Sequence, residues 1–170
     1  PIATWTTVNL EHLEPGFLEK HFPRLDELNR KMKGPRGQRV EHNTVRLTYR
    51  YIPQEIFPFN FVELLFSGYS GAPLYCRIRA KKPGDEILSL LESKYGTPTK
   101  IQRGDSSAFS YYWEKSGDIL IYSNTPDLLG NPGYRIAIYF VENLENFIDK
   151  EKRGRAAETE EKEEALKRVF

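Results

Sequence analysis

Residues 74–98 read LYCRIRAKKPGDEILSLLESKYGTP, and two different periodicities meet within this segment. From Leu74 to Ala80, apolar residues alternate with Tyr75, Arg77 and Arg79. Because successive side chains of a strand point to opposite faces of a sheet, this alternation predicts a strand with one apolar and one Arg/Tyr face.

The second half of the same segment predicts an amphipathic helix over residues 84–95. Its apolar residues recur at helical spacing, at Ile87, Leu88, Leu91 and Tyr95. Gly96 stands where a left-handed helix cap belongs, and Pro98 cannot continue a helix. This helix follows a strand and precedes another, so it links two parts of a sheet.

Alternating or apolar runs elsewhere predict the remaining strands. They lie near residues 45–51, 59–66, 109–113, 119–122 and 134–141, with a short β-prone piece at 3–8 that is either an edge strand or an extended arm. Most of them are joined by short turns, as in hairpins. The predicted fold class is therefore α+β, with an antiparallel sheet of about five to six strands.

Helices are also predicted at both ends of the chain. Pro23 is well placed to begin an N-terminal helix whose apolar stripe is Leu25, Leu28 and Met32. Residues 1–150 are predicted to form a single domain, and residues 151–170 a charged C-terminal helix or tail without an apolar stripe. A helix of that kind is marginal in water. It is therefore expected to lie on its own sheet or on a second copy of the chain, or to stay solvated.

Composition narrows the function classes. The chain has 25 Lys and Arg against 24 Asp and Glu, a net charge of +1, so any basic site must be local and nucleic acid is an unlikely partner. Its one cysteine, Cys76, excludes an intrachain disulfide. No apolar run of about 18 residues is present, so no membrane span is predicted. Pro1 leaves open whether a methionine or a signal peptide preceded it.

The sequence predicts no catalytic residue, no cofactor and no metal site. His12, His21 and His42 lack the close spacing typical of metal ligands, and surface or helix-capping roles are expected for them. No two carboxylates can be placed face to face from the sequence, so acid–base catalysis is not supported.

A candidate binding surface comes from the non-apolar register of three strands. Its members are Arg46, Arg50, Tyr75, Arg77, Arg79, Arg135 and Tyr139. If those strands are neighbours, the residues share one sheet face. Arginine can bind carboxylate or phosphate through two parallel hydrogen bonds, and tyrosine adds rigid contact area. The alternatives are a solvated sheet face, or a face covered by the acidic C-terminal helix.

One motif carries a family resemblance. The segment from Leu91 to Pro98 reads LESKYGTP, lies between two predicted hairpins, and precedes a strand containing Trp113. Over roughly residues 43–141 the chain resembles small α+β domains of exported bacterial proteins and lipoproteins. The resemblance implies a periplasmic or otherwise exported location and a non-enzymatic role. No lipobox cysteine is visible, so a lipid anchor is not implied.

Together these observations favour a non-enzymatic binding or scaffold domain. Its expected partner is a protein or an anionic ligand on the Arg/Tyr face, with a homodimer through the C-terminal helix as a further possibility. The alternative is a cytoplasmic domain that binds nucleic acid or phosphate with the same arginines.

Overall fold

The computed structural model describes residues 4–35, 38–51, 59–80, 84–103 and 108–170. Eight strands and four helices lie within these ranges. In chain order they are β1 (Thr4–Thr6), α1 (Phe17–His21), α2 (Pro23–Met32), β2 (His42–Arg50), β3 (Phe59–Ser67), β4 (Pro73–Ala80), α3 (Gly84–Tyr95), β5 (Thr99–Arg103), β6 (Ala108–Lys115), β7 (Asp118–Asn124), β8 (Tyr134–Tyr139) and α4 (Val141–Val169).

All eight strands belong to one antiparallel sheet. Its spatial order is β1-β2-β3-β4-β8-β7-β6-β5, so two meanders meet at the central pair β4 and β8. The α+β class and the antiparallel sheet are confirmed, but the predicted count of five to six strands is wrong. The short β1 pairs with β2, and β5 at the opposite edge was not predicted. Apart from Ile101, β5 carries only polar residues, so it lacks the apolar alternation that marks a strand.

Both faces of the sheet carry an apolar core. The predicted helix α3 covers one face, where Ile87 packs with Trp113, Leu120 and Tyr122. The Trp113 indole N–H donates to the Gly96 carbonyl oxygen at 2.8 Å and ties the end of the helix to β6. Gly96 has φ +89°, the left-handed conformation expected of a helix cap.

The opposite face carries the larger core. It is covered by α1, α2, the first turns of α4 and the irregular segment before α1. From that segment Val8 and Leu10 are buried, and Leu25 contributes from α2. The predicted helix start at Pro23 is confirmed, since Pro23 is the first residue of α2. This face is the one on which the Arg/Tyr residues were predicted.

The C-terminal helix is continuous from Val141 to Val169, so the predicted boundary between residues 150 and 151 lies inside it. Leu144, Phe147 and Ile148 are buried against the larger core, as the amphipathic pattern of its first turns indicates. Beyond Glu151 every residue of the helix is exposed. None of the described helices combines the length and apolar character needed to cross a bilayer.

A buried polar cluster holds α4 against the sheet. The Glu151 carboxylate accepts a hydrogen bond from His42 Nδ1, and His42 Nε2 donates to the Met32 carbonyl oxygen at 2.8 Å. The same carboxylate accepts from the Asn43 amide and from the Tyr69 hydroxyl, each at 3.2 Å. His42 was expected at the surface, but it is only 2% exposed. Three elements, α2, β2 and α4, therefore meet at this one imidazole.

Candidate functional site

The sheet register brings the predicted Arg/Tyr residues to one face. Arg79 lies directly opposite Arg135 in the β4–β8 pair, and Tyr75 lies opposite Tyr139. From β2, Arg50 lies opposite Phe61 of β3, which in turn neighbours Arg79. Residues opposite one another in an antiparallel pair share a face. The predicted set therefore lies on one surface across β2, β4 and β8.

Two members of the set are core residues. Tyr75 is 3% exposed and Tyr139 is 0% exposed, and their rings stack with centroids 5.0 Å apart. Burial raises the pKa of both phenols well above the ordinary value. The expectation that this register faces away from the core is wrong for them, because the segment containing Leu10 and His12 covers this part of the sheet.

Beside these tyrosines the same face holds a cavity of about 170 Å³. Its lining consists of His12, Phe61, Arg77, Ile78, Arg79, Arg135 and Ile136. Pockets for drug-sized ligands typically run to roughly 300–1,000 Å³. This cavity therefore has room only for a small ligand or a few water molecules, at roughly 30 Å³ per water. We call it the arginine cavity.

One of the three arginines lining the cavity is neutralised by a carboxylate. Arg77 Nη2 lies 2.9 Å from Glu63 Oε1, and Arg46 Nη1 lies 3.3 Å from Glu63 Oε2. Glu63 is buried, so the two guanidinium groups share one desolvated carboxylate. Arg46 and Arg50 do not line the cavity, and the Arg50 guanidinium lies over the Phe61 ring, 5.2 Å from its centroid.

The other two arginines of the cavity have no such partner. Among the residues that the structure describes, no carboxylate lies within ion-pair distance of Arg79 or Arg135. The Arg79 guanidinium stacks 4.2 Å from the Phe61 ring centroid, and Arg135 donates to the His12 carbonyl oxygen. Burial lowers the pKa of Arg135, and the positive charges of Arg79 and Arg77 lower it further. The arginine cavity is therefore a site of uncompensated positive charge.

His12 completes the lining and was predicted at the surface. It is 6% exposed, and its Nδ1 lies 3.0 Å from the Tyr139 hydroxyl. Burial lowers the pKa of His12 to about 3, and the charges of Arg135, Arg77 and Arg103 act in the same direction. Its Nε2 is buried and has no hydrogen-bond partner among the described residues. No periodic signal marks His12, because the segment around it is neither helix nor strand.

Other site chemistries find no support in the described ranges. No group of three or more His, Cys, Asp or Glu side chains there could hold a metal ion. Cys76 is buried, and burial raises the pKa of its thiol to about 11, which is opposite to the shift of a reactive cysteine. Comparison of the chain with protein-family models, curated proteins and solved structures finds no match, so its function is inferred from the arginine cavity alone.

Proposed function

We propose that this chain is a binding domain that takes a small anionic ligand in the arginine cavity. The observation that carries the proposal is the convergence of Arg77, Arg79 and Arg135 on one cavity, with no carboxylate beside the last two in the described chain. Like charges gathered in a partly desolvated place are unfavourable unless an opposite charge joins them. A bound anion supplies that charge.

The chemistry and size of the cavity favour an oxyanion. Guanidinium groups present planar pairs of N–H donors that match the oxygens of carboxylate and phosphate. The arginine cavity, at about 170 Å³, fits a group of that size better than a long chain or a flat protein surface. Because Tyr75 and Tyr139 lie in the core, they position the surrounding strands and are not expected to touch the ligand.

The proposal is tested by titrating the full chain with phosphate and with acetate at constant ionic strength, using calorimetry or amide chemical shifts. The informative variant is Arg135→Gln, and the matched control is Arg153→Gln on the exposed part of α4. Hydrogen bonds to charged groups contribute about 1.5–3 kcal/mol, so we expect Arg135→Gln to weaken binding about 10- to 100-fold. Arg153→Gln should leave binding unchanged.

Two outcomes would contradict this function. One is the absence of any saturable shift with either anion in the wild-type chain. The other is equal binding by the two variants, provided that both melt as cooperatively as the wild type. Charge reversal by Arg77→Glu together with Arg79→Glu should abolish binding in the same assay.

Nucleic acid is the second candidate ligand for these arginines. A nucleic-acid-binding function predicts that a single-stranded oligonucleotide binds and that its affinity falls steeply with salt, because each neutralised phosphate releases counterions. Because Arg46 and Arg77 share the Glu63 carboxylate, these three side chains carry one net positive charge instead of two, which weakens their attraction for an extended phosphate backbone. We therefore expect no oligonucleotide binding at moderate salt, and steep salt-dependent binding would favour this second function.

A further inference from the structure

The hydrogen bonds of His12 define which ring nitrogen carries its proton. The Tyr139 hydroxyl lies 2.7 Å from the Leu10 carbonyl oxygen, and a carbonyl oxygen can only accept. The single phenolic proton of Tyr139 is therefore donated to the Leu10 carbonyl oxygen. The contact between Tyr139 and His12 Nδ1 at 3.0 Å must then use a proton on Nδ1.

A neutral imidazole with its proton on Nδ1 has a lone pair on Nε2. Burial and neighbouring positive charge keep this ring neutral. The pKa of His12 is depressed to about 3 by burial and by nearby arginines, and a charged imidazole would add a cation beside Arg135 and Arg77. His12 lines the arginine cavity, and the buried Nε2, unpaired within the described chain, is the one free hydrogen-bond acceptor of its side chain.

An anion without an O–H group leaves the Nε2 lone pair without a donor. Its unprotonated oxygen would also repel Nε2, because both atoms carry partial negative charge. Leaving a buried acceptor unpaired costs about as much as a lost hydrogen bond. A ligand that carries a proton on an oxygen next to its charged group would instead use the guanidinium donors and the imidazole acceptor together.

We propose that the ligand of the arginine cavity is a small oxyanion that also carries an O–H donor, and that His12 Nε2 accepts a hydrogen bond from this O–H group. This inference rests on the proposed function. Two kinds of molecule serve as examples of this chemistry. One is hydrogen phosphate, which keeps a proton as a dianion. The other is a short hydroxycarboxylate. His12 therefore acts as a specificity residue, and the arginines supply the affinity.

Two pairs of probes isolate the O–H group. At a pH of about 8, phosphate is mainly a dianion with one proton, whereas sulfate is a tetrahedral dianion without one. Glycolate differs from acetate by one hydroxyl. A hydrogen bond to a buried acceptor contributes about 1–3 kcal/mol, so we expect the member with the O–H group to bind about 5- to 100-fold more tightly. The pair that shows the preference identifies the kind of ligand.

A direct reading of His12 in the wild-type chain avoids any question of folding. The chain has three histidines, so ¹⁵N-labelled imidazole signals can be assigned to each. We expect the free chain to show His12 with an unprotonated Nε2. Its signal should move on addition of the favoured O–H ligand and stay in place with the other member of the pair.

Variants complete the experiment. His12→Phe should remove the preference while retaining binding of acetate or sulfate, and His21→Phe outside the cavity should keep the preference. Equal binding within both probe pairs, or a protonated Nε2 in the free chain, would overturn the role of His12 and leave the anion site standing. A failure of all four probes to bind would overturn the proposed function and this inference together.

Discussion

Replacement of Glu151 by alanine tests the polar cluster that holds α4 on the sheet. The Glu151 side chain is 4% exposed, and its two oxygens accept from His42 Nδ1, from the Asn43 amide and from the Tyr69 hydroxyl. The two ring nitrogens of His42 lie against two acceptors, the Glu151 carboxylate and the Met32 carbonyl oxygen. Glu151→Ala would leave the buried His42 ring and the Asn43 amide without their acceptor.

The expected cost follows from that loss. Hydrogen bonds to a charged group contribute about 1.5–3 kcal/mol each, so losing those from His42 and the Asn43 amide costs about 3–6 kcal/mol. Tyr69 is partly exposed and recovers a hydrogen bond to water, so we take the lower end, about 3 kcal/mol. For a domain of this size, 1 kcal/mol corresponds to about 2–4 °C in Tm, which gives a fall of about 6–12 °C.

Urea unfolding followed by tryptophan fluorescence measures this loss, since Trp113 is buried and reports on the core. The control is Glu160→Ala, which makes the same chemical change on the same helix at an exposed position. Exposed substitutions of this kind change the free energy of unfolding by about 0.5 kcal/mol or less. Equal midpoints for the two variants would refute the reasoning, because the cluster would then contribute nothing beyond helix propensity.

Three other outcomes are expected. Burial acts to raise the pKa of Glu151, but hydrogen bonds from His42 and the Asn43 amide outweigh it and hold the pKa below its ordinary value of 4.5. The stability that ionised Glu151 contributes is therefore present above pH 4.5 and is lost as the pH falls through the folded-state pKa. The free energy of unfolding of the wild type should accordingly drop more steeply in acid than that of Glu151→Gln. Leu144→Ala should cost about 2–5 kcal/mol in urea unfolding, and Leu166→Ala under about 0.5, because only the first leucine is buried. A chain ending at Arg155 keeps the polar cluster but lacks the exposed end of α4. Dimerisation through that end predicts the dimer mass for the full chain and the monomer mass for the shorter chain in light scattering.

The sequence predicted the parts of the fold that local periodicity specifies. Alternation along Leu74–Ala80 correctly separated the two faces of β4, and the spacing in residues 84–95 correctly gave α3 with its cap at Gly96. Each of these features depends on residues close together in the chain, where strand and helix spacings apply directly. The face that each side chain occupies follows from the period of two within its own strand, whereas the pairing of the strands was not predicted.

The parts that the sequence did not predict depend on distant residues. His12 meets Tyr139 across 127 positions, and His42 meets Glu151 across 109. The irregular segment that carries His12 has no period, so nothing in it shows which face of the sheet it covers. For the same reason Tyr75 and Tyr139 were predicted in the non-core register, although their side of the strand was predicted correctly.

The position of the arginine cavity follows from the meeting of the two meanders. Arg79 and Arg135 oppose each other across the central pair β4 and β8, and like charges directly opposite destabilise a sheet. Arg79 is exposed, so water screens part of this repulsion, while the preceding residue Ile78 and the residue after Arg135, Ile136, pack in the core beneath α3. If an anion binds between Arg79 and Arg135 as proposed, it relieves their mutual repulsion. Binding and folding are linked at this pair, so ligand at 100 times its Kd should add about 2.7 kcal/mol to the free energy of unfolding.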